Sequence, residues 1–285
     1  MVARSTGQST ASFRAEPGTV VGGRYRLEGS LGSGGMARVF RVYDPVSDRT
    51  LALKMLSSAP DRRQIALFER EYYTLASLRH PNIVEVYDYA SHEGRPYYTM
   101  KLLHGGDVSS LAPRPWPEVC RILRDVASAL ALLHARRYLH RDVSARNVWM
   151  TTEGDVELID FGTLMPFGKS IEVAGTPPFV APESLYGHEL DQRTDLYALG
   201  ALGYWLLTGL HAFGARSLHM LDELWKQRPR APSHRVAELE RADLPAIPAA
   251  FDALIERLLN IDPRARPSSA SEVIDALSAI DGVPG

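Results

Sequence analysis

The sequence predicts an α+β chain in two parts, a small antiparallel sheet with one helix followed by a mainly helical region. Three observations predict it. Short alternating apolar runs separated by turn residues fill the stretch from Arg24 to Leu56. A helical repeat of apolar residues follows from Arg62 to Leu78, and beyond Gly105-Gly106 the apolar spacing becomes helical almost throughout.

The sheet begins with Tyr25-Arg26-Leu27, passes a glycine cluster, and continues with Arg38 to Tyr43, a turn at Asp44-Pro45, and Thr50 to Lys54. Such alternation with intervening turns predicts an antiparallel meander. Ile65, Phe68, Tyr72 and Leu75 mark the helix, which stops before His80-Pro81. Two further strands are expected at Ile83 to Tyr89 and Tyr97 to Leu103. The first long helix of the second part runs from Trp116 to about Arg136, with Val119, Ile122, Leu123, Val126, Leu130 and Leu133 on one face. Short strands at Val148 to Thr151 and Val156 to Ile159 flank a Glu153-Gly154 turn. A loop, an apolar helix at 195 to 209 and terminal helices near 249 to 260 and 268 to 280 complete the chain. The expected organisation is a disordered tail over 1–23, a first lobe over 24–103 and a second over 104–285.

The chain has 285 residues, of which 45% are apolar and 23% charged, enough for one large core or two modest ones. Its formal net charge is −2, which provides no global basic field for nucleic acid or anionic lipid. Neither is an expected partner. The single cysteine, Cys120, has no second thiol for a disulfide or a shared metal, fits a reducing, cytoplasmic setting, and reads as a buried helix residue. Residues 1 to 18 lack the apolar core of a secretory signal. Leu196 to Ala215 carries no Asp, Glu, Lys or Arg, yet its glycines and the expected stop near Gly209 suit a buried helix better than a membrane span.

Chemistry concentrates in four runs. Gly32-Ser33-Gly34-Gly35 stands between two strands, where backbone N–H groups approach phosphate oxygens without a Cβ in the way. A dinucleotide loop would need a helix straight after the glycines, and Arg38 to Tyr43 alternates as a strand instead. Lys54, in an apolar strand, needs a counter-charge or a ligand phosphate, and Glu71 on the following helix is the well-placed acid. The third run is His140-Arg141-Asp142-Val143-Ser144-Ala145-Arg146-Asn147, and the fourth is Asp160-Phe161-Gly162. A carboxylate that accepts a hydroxyl proton, with an amide oxygen and a second carboxylate for hard cations, is the set that phosphoryl transfer from ATP requires.

In this order and spacing the runs resemble the eukaryotic-type protein kinase family, whose bilobal fold would cover about residues 25 to 280, with a bacterial flavour in the glycine loop. Ala181-Pro182-Glu183, Asp195 to Gly200 and Arg266 agree with it. The resemblance implies that the loop of Gly32 and Gly34 covers the phosphates and that Lys54, held by Glu71, binds the α- and β-phosphates. It implies Asp142 as catalytic base, and Asn147 and Asp160 as ligands of Mg2+, or Mn2+ in its place. Leu31, Val39, Ala52 and Trp149 would line the nucleotide, Met100 would back the adenine, and Lys101 to Leu103 would offer it backbone hydrogen bonds. Glu183 and Arg266 would form a buried structural ion pair, with Asp195 a structural residue. Leu75, Val86, His140 and Phe161 match the apolar column of active kinases.

The implied activity is transfer of the γ-phosphoryl of ATP to Ser/Thr hydroxyls of proteins, with autophosphorylation through transient self-association. Departures keep alternatives open. Ala37 replaces a third glycine, and Trp149 stands where a smaller floor residue is usual. Ser144 stands where serine/threonine kinases place Lys, while Arg146 matches the substitute cation of tyrosine kinases. Thr176, able to bond Asp142, favours the serine/threonine class over a tyrosine or dual-specificity enzyme. A catalytically inactive scaffold is opposed by the intact Lys54, Glu71, Asp142, Asn147 and Asp160, and a small-molecule kinase by Ala181-Pro182-Glu183. Arg141 would receive an activation-loop phosphate, with Ser170 the first candidate acceptor and Thr163 the second, unless the loop is ordered without one.

Overall fold

The computed structural model describes residues 16–34, 36–57, 60–170, 172–214, 217–241 and 243–282. The chain divides into two compact units, one running up to Ser77 and including Glu85–Leu103, the other comprising Leu78–Val84 and everything from His104 onward.

The first unit is a six-stranded antiparallel sheet in the order β1-β2-β3-β4-β6-β5 with one helix. Its strands are β1 (Val20–Val21), β2 (Tyr25–Ser33), β3 (Ala37–Asp44) and β4 (Arg49–Leu56), then helix α1 (Arg62–Ser77), β5 (Val86–His92) and β6 (Arg95–Lys101). Alternation explains its faces. Leu27, Phe40, Val42, Leu51, Leu53, Met55 and Tyr97 point to one side and form a buried cluster with Val21 and Tyr25. The β3–β4 turn is built by Asp44, whose carboxylate accepts from Val46 N–H at 3.0 Å and from Arg24 Nε and Nη2 at 2.8 and 2.7 Å. Helix α1 opens on a reciprocal cap in which Asp61 Oδ1 accepts from Gln64 N–H and Gln64 Oε1 accepts from Asp61 N–H, at 2.8 and 3.0 Å.

Two expectations need correction here. The tail does not extend to residue 23, because Val20 and Val21 pair with Arg26 and Tyr25 and Val21 is fully buried in the sheet's core. Residues 1–15 and Gly35 of the glycine run lie outside the described residues. The strand expected at Ile83 to Tyr89 starts at Val86 and runs on to His92, because Glu93 and Gly94, at φ 49° and 74°, make the hairpin turn. Ile83 belongs to the second unit, where it forms a parallel bridge to Leu158.

The second unit is mainly helical. In chain order it contains β7 (Gly105–Asp107), α2 (Trp116–Ala135), β8 (Tyr138–Leu139), β9 (Val148–Thr151), β10 (Val156–Leu158), β11 (Met165–Pro166) and β12 (Gly168–Lys169). Then follow α3 (Pro182–Leu185), β13 (Glu189–Leu190), α4 (Gln192–Thr208), α5 (Leu218–Leu224), α6 (Pro232–Glu238), α7 (Ala249–Leu258) and α8 (Ala270–Asp281). Helix α4 is buried on nearly every side, with α2, α6 and α7 packed around it. A Cβ at Gly200 would meet Leu258 Cβ at 2.5 Å, so glycine there sets the approach of α7. This packing explains the apolar run that resembles a membrane span. Among the described residues no helix is long and apolar enough to cross a membrane. Cys120 is buried on α2 with its Sγ 3.3 Å from Leu277 O, and burial pushes its thiol up to about 11.

Candidate active site

In the sheet unit, register brings the implied nucleotide residues together. Gly32 pairs with Val39, Val39 with Lys54, and Lys54 with Tyr98, while Ala52 pairs with Met100. Directly opposed residues share a face, and Ala52 and Lys54 are two apart, so Val39, Ala52, Lys54 and Met100 occupy one side of the sheet. That side is opposite the Phe40–Leu53 core. Helix α1 packs on it through Phe68 and Tyr72. Lys54 Nζ donates to Glu71 Oε1 at 2.6 Å, with side chains only 12% and 4% exposed.

The Tyr98 hydroxyl donates to the same Glu71 oxygen at 2.9 Å, and the Tyr98 ring lies under the Lys54 ammonium, 5.9 Å from centroid to Nζ. Sequence reasoning missed Tyr98, since a tyrosine in an apolar strand reads as core. Leu31 is half exposed at a β2 bulge, and Gly34 N–H closes the β2–β3 turn on Ala37 O at 2.9 Å. Lys101 N–H already donates to Glu85 O at 2.9 Å, so that one group is used within the sheet. Leu103 follows, half-buried, at the end of the unit.

In the helical unit Asp142 is the hub. Its Oδ1 accepts from Thr176 N–H and from the Thr176 hydroxyl, both at 2.9 Å, and its Oδ2 accepts from Asn147 Nδ2 at 2.8 Å. Asn147 Nδ2 also donates to Asp142 O at 2.9 Å. With its nitrogen committed on this side, the amide holds its oxygen on the other. Asn147 O accepts Ile159 N–H at 2.8 Å, which fixes Asp160 one residue beyond. Asp160 is exposed, and its backbone is left-handed at φ 57°, as is that of Arg141 at 67°. Such backbone in non-glycine residues clusters at functional sites.

The loop around Asp142 is anchored from beneath. Asp195, in the first turn of α4 and fully buried, accepts His140 N–H at 2.9 Å on Oδ2 and Arg141 N–H at 2.8 Å on Oδ1. His134 Nε2 adds a contact at 2.9 Å. Burial alone would raise this carboxyl, but the hydrogen bond and charge of His134, with His140 and the Arg141 N–H, hold it below its ordinary value. His140 Nδ1 accepts Asp142 N–H at 3.3 Å, which leaves Nε2 to donate to Ile159 O at 3.3 Å. Its ring meets Phe161 edge-on at 4.6 Å. Gly175, at φ 110°, brings the chain against this loop, where a Cβ would stand 2.6 Å from Arg141 O.

The remaining candidates fall in several places. Ser144 is buried and its Oγ has no hydrogen-bond partner among the described residues, while Arg146 is exposed. Trp149 lies half-buried on β9 with its indole N–H directed to His104 O at 3.4 Å. Ser170 Oγ donates to Glu172 O at 2.6 Å, and the Arg141 guanidinium donates to the same carbonyl at 2.5 Å. The Thr163 hydroxyl is taken up by His140 O at 2.7 Å. Glu183 receives both terminal nitrogens of Arg266, at 2.7 and 2.8 Å, in a pair 4% and 2% exposed. Thr194, Arg193 O and Asn260 O complete the satisfaction of that pair. Leu75 is buried and Val86 partly so.

A divalent cation would find hard oxygen donors in this unit. The Asn147 amide oxygen and the Asp160 carboxylate match the one or two protein oxygens, completed by phosphate and water, that Mg2+ prefers. Among the described residues no group of three or more His, Cys, Asp or Glu is gathered for a metal. The donor set therefore fits a cation that arrives with a phosphate ligand better than an all-protein cage.

The model of the protein kinase domain matches residues 25–277. The chain is 33% identical over 290 residues to the serine/threonine-protein kinase pkn3 of Myxococcus xanthus, covering 93% of this chain and 51% of that protein. It is 34% identical to PksC of Streptomyces coelicolor over 90% of this chain and 49% of PksC. The chain thus spans about half the length of these two curated relatives. The crystal structure of the Mycobacterium tuberculosis PknI kinase domain superposes with a TM-score of 0.70 at 30% identity, covering 93% of this chain and 98% of that one.

Proposed function

The chain belongs to the protein kinase domain family, and from that premise we propose that it transfers the γ-phosphoryl group of ATP to serine and threonine hydroxyls of proteins, including other copies of itself. The observation that carries this reading is the clamp on Asp142, oriented on one oxygen by Thr176 and on the other by Asn147. A carboxylate so fixed is a base of defined direction. The hydroxyl oxygen of the acceptor attacks the γ-phosphorus, the bond to the β-phosphate oxygen breaks to release ADP, and the hydroxyl proton passes to Asp142.

Lys54, aimed by Glu71 and Tyr98, binds the α- and β-phosphates in this scheme, beneath the glycine turn at Gly32 and Gly34. Leu31, Val39, Ala52, Met100, Leu103 and Trp149 contact the nucleotide base and sugar. Asn147 and Asp160 would hold Mg2+, or Mn2+ in its place, which would neutralise phosphate charge when bound. Arg146, exposed in the loop, is the cation left to approach the transferring phosphoryl, because the Arg141 guanidinium is engaged with Glu172. A phosphate on Ser170 would meet that Arg141 guanidinium, with which the Ser170 hydroxyl already shares a carbonyl. A cytoplasmic setting, where ATP is supplied, belongs to the same reading.

The names of the relatives, all serine/threonine-protein kinases, support the acceptor class. So does Thr176. The buried Ser144 hydroxyl and exposed Arg146 favour the second reading, a tyrosine or dual-specificity enzyme. Phosphoamino-acid analysis after incubation with Mg-ATP and a generic acceptor protein separates the two: phosphoserine and phosphothreonine are expected, and phosphotyrosine alone would overturn the first reading.

A further inference from the structure

Helix α4 ends in a turn that sends the chain back over its own last side chains. Gly209, at φ 72°, donates its N–H to Trp205 O at 2.8 Å. Thr208 Oγ1 accepts Leu210 N–H at 3.1 Å and donates to Tyr204 O at 2.8 Å. The next residue, His211, is thereby laid on the Trp205 indole, with ring centroids 4.5 Å apart and planes inclined by only 20°. The same ring meets Phe179 edge-on, at 5.5 Å and 87°. His211 thus touches both an aromatic of the buried helix and an aromatic of the segment that faces Asp142.

Phe179 is not remote from the chemistry. It closes the 3-10 turn Pro177–Phe179, whose first hydrogen bond runs from Phe179 N–H to Thr176 O at 2.9 Å. Thr176 is the residue that holds Asp142 Oδ1 by both its N–H and its hydroxyl. The relay from α4 is therefore Trp205, His211, Phe179, Thr176, Asp142, and its first links are aromatic contacts. A T-shaped or stacked pair adds to burial a preference for one geometry, which is what a positioning contact needs. Burial lowers the His211 pKa, which favours the uncharged ring between these contacts.

We propose that His211 is a positioning residue for phosphoryl transfer, acting through Phe179 to hold Thr176 on the Asp142 carboxylate. The proposal rests on the kinase reading for its rate effect, but the contact it predicts is independent of activity. It concerns the acceptor side. An ATP-binding defect is not expected.

The test compares His211→Ala, His211→Leu and His211→Phe in the full chain by two readouts. The first is the rate of phosphate transfer to a generic acceptor protein at saturating Mg-ATP. Alanine and leucine should lower kcat on the order of 10-fold with the KM for ATP unchanged, and phenylalanine, which keeps an aromatic ring, should restore most of the rate. On a Thr176→Ala background, which removes the hydroxyl arm of the route and keeps the N–H arm, the same changes should have a smaller effect than in the wild type. The second readout is hydrogen exchange of the Thr176 amide by NMR, which should accelerate in the alanine and leucine variants and not in the phenylalanine variant. Leucine keeps the volume, so it covers the case in which alanine prevents folding. Unchanged Thr176 exchange in the leucine variant would overturn the proposal, as would an undiminished His211 effect on the Thr176→Ala background. A wild-type protein that transfers no phosphate would instead refute the kinase reading, and the exchange measurement would still decide the role of His211.

Discussion

Thr176 meets Asp142 at a single oxygen, with its backbone N–H and its hydroxyl both 2.9 Å from Oδ1. The other carboxylate oxygen is left to Asn147. Two donors on one oxygen fix the carboxylate's rotation, and one of them can be removed by substitution without touching the backbone. Thr176→Val is therefore expected to lower kcat for protein phosphorylation by roughly 10-fold or more, since a hydrogen bond to a charged group is worth about 1.5–3 kcal/mol. Thr176→Ser should stay near wild type. Steady-state kinetics at saturating ATP check both.

Lys54 and Glu71 are tied at 2.6 Å, and Tyr98 supports the same Glu71 oxygen. Lys54→Met is expected to lower phosphate transfer by at least about 10^2-fold, the scale of losing one preorganised charge at a transferring group. Tyr98→Phe should cost about 1 kcal/mol of stability, with a smaller loss of rate, because Lys54 keeps its partner. Kinetics and urea unfolding on the two variants separate these effects.

The Glu183–Arg266 pair is almost wholly buried and hydrogen-bonded throughout. Arg266→Ala leaves a buried carboxylate without its cation and is expected to cost about 3–5 kcal/mol. That corresponds to a fall of roughly 10 °C in the thermal midpoint. Replacing both partners by apolar residues should cost less than removing either one. Calorimetry on the single and double variants checks the order.

Asp195 gives a pH signature. Its folded-state pKa is held below the ordinary value, so the stability it contributes is complete above about pH 4 and is lost as the pH falls toward the folded value. Unfolding midpoints in urea should therefore drop on acidification below about pH 4 in the wild type, and Asp195→Asn should flatten that component while lowering stability at neutral pH.

Much of the fold was legible because its signals are periodic. Tyr25 and Leu27 alternate with the exposed Arg26 and Glu28, and the apolar side chains of α2 recur at helical spacing, so strand and helix could be read directly. The short elements α3, α5 and α6 have too few turns to show a period. Val20–Val21 was hidden for the opposite reason, since two apolar residues carry no alternation and their pairing partner lies across a turn. In the site, Lys54 declared itself as a charge in an apolar strand, and Asp142, Asn147 and Asp160 through the order and spacing of their runs. Tyr98, His134 and His211 did not, because aromatic and imidazole rings serve equally well as packing, and only the geometry shows what they touch.

The most direct measurement is phosphate transfer from labelled Mg-ATP to a generic acceptor protein by the wild type and by Asp142→Asn, with both shown to be folded by thermal unfolding. The wild type is predicted to label the acceptor and itself, and Asp142→Asn to lose transfer by orders of magnitude at similar stability. Equal labelling by the two proteins, or none by a folded wild type, would contradict the assignment of Asp142 as the base.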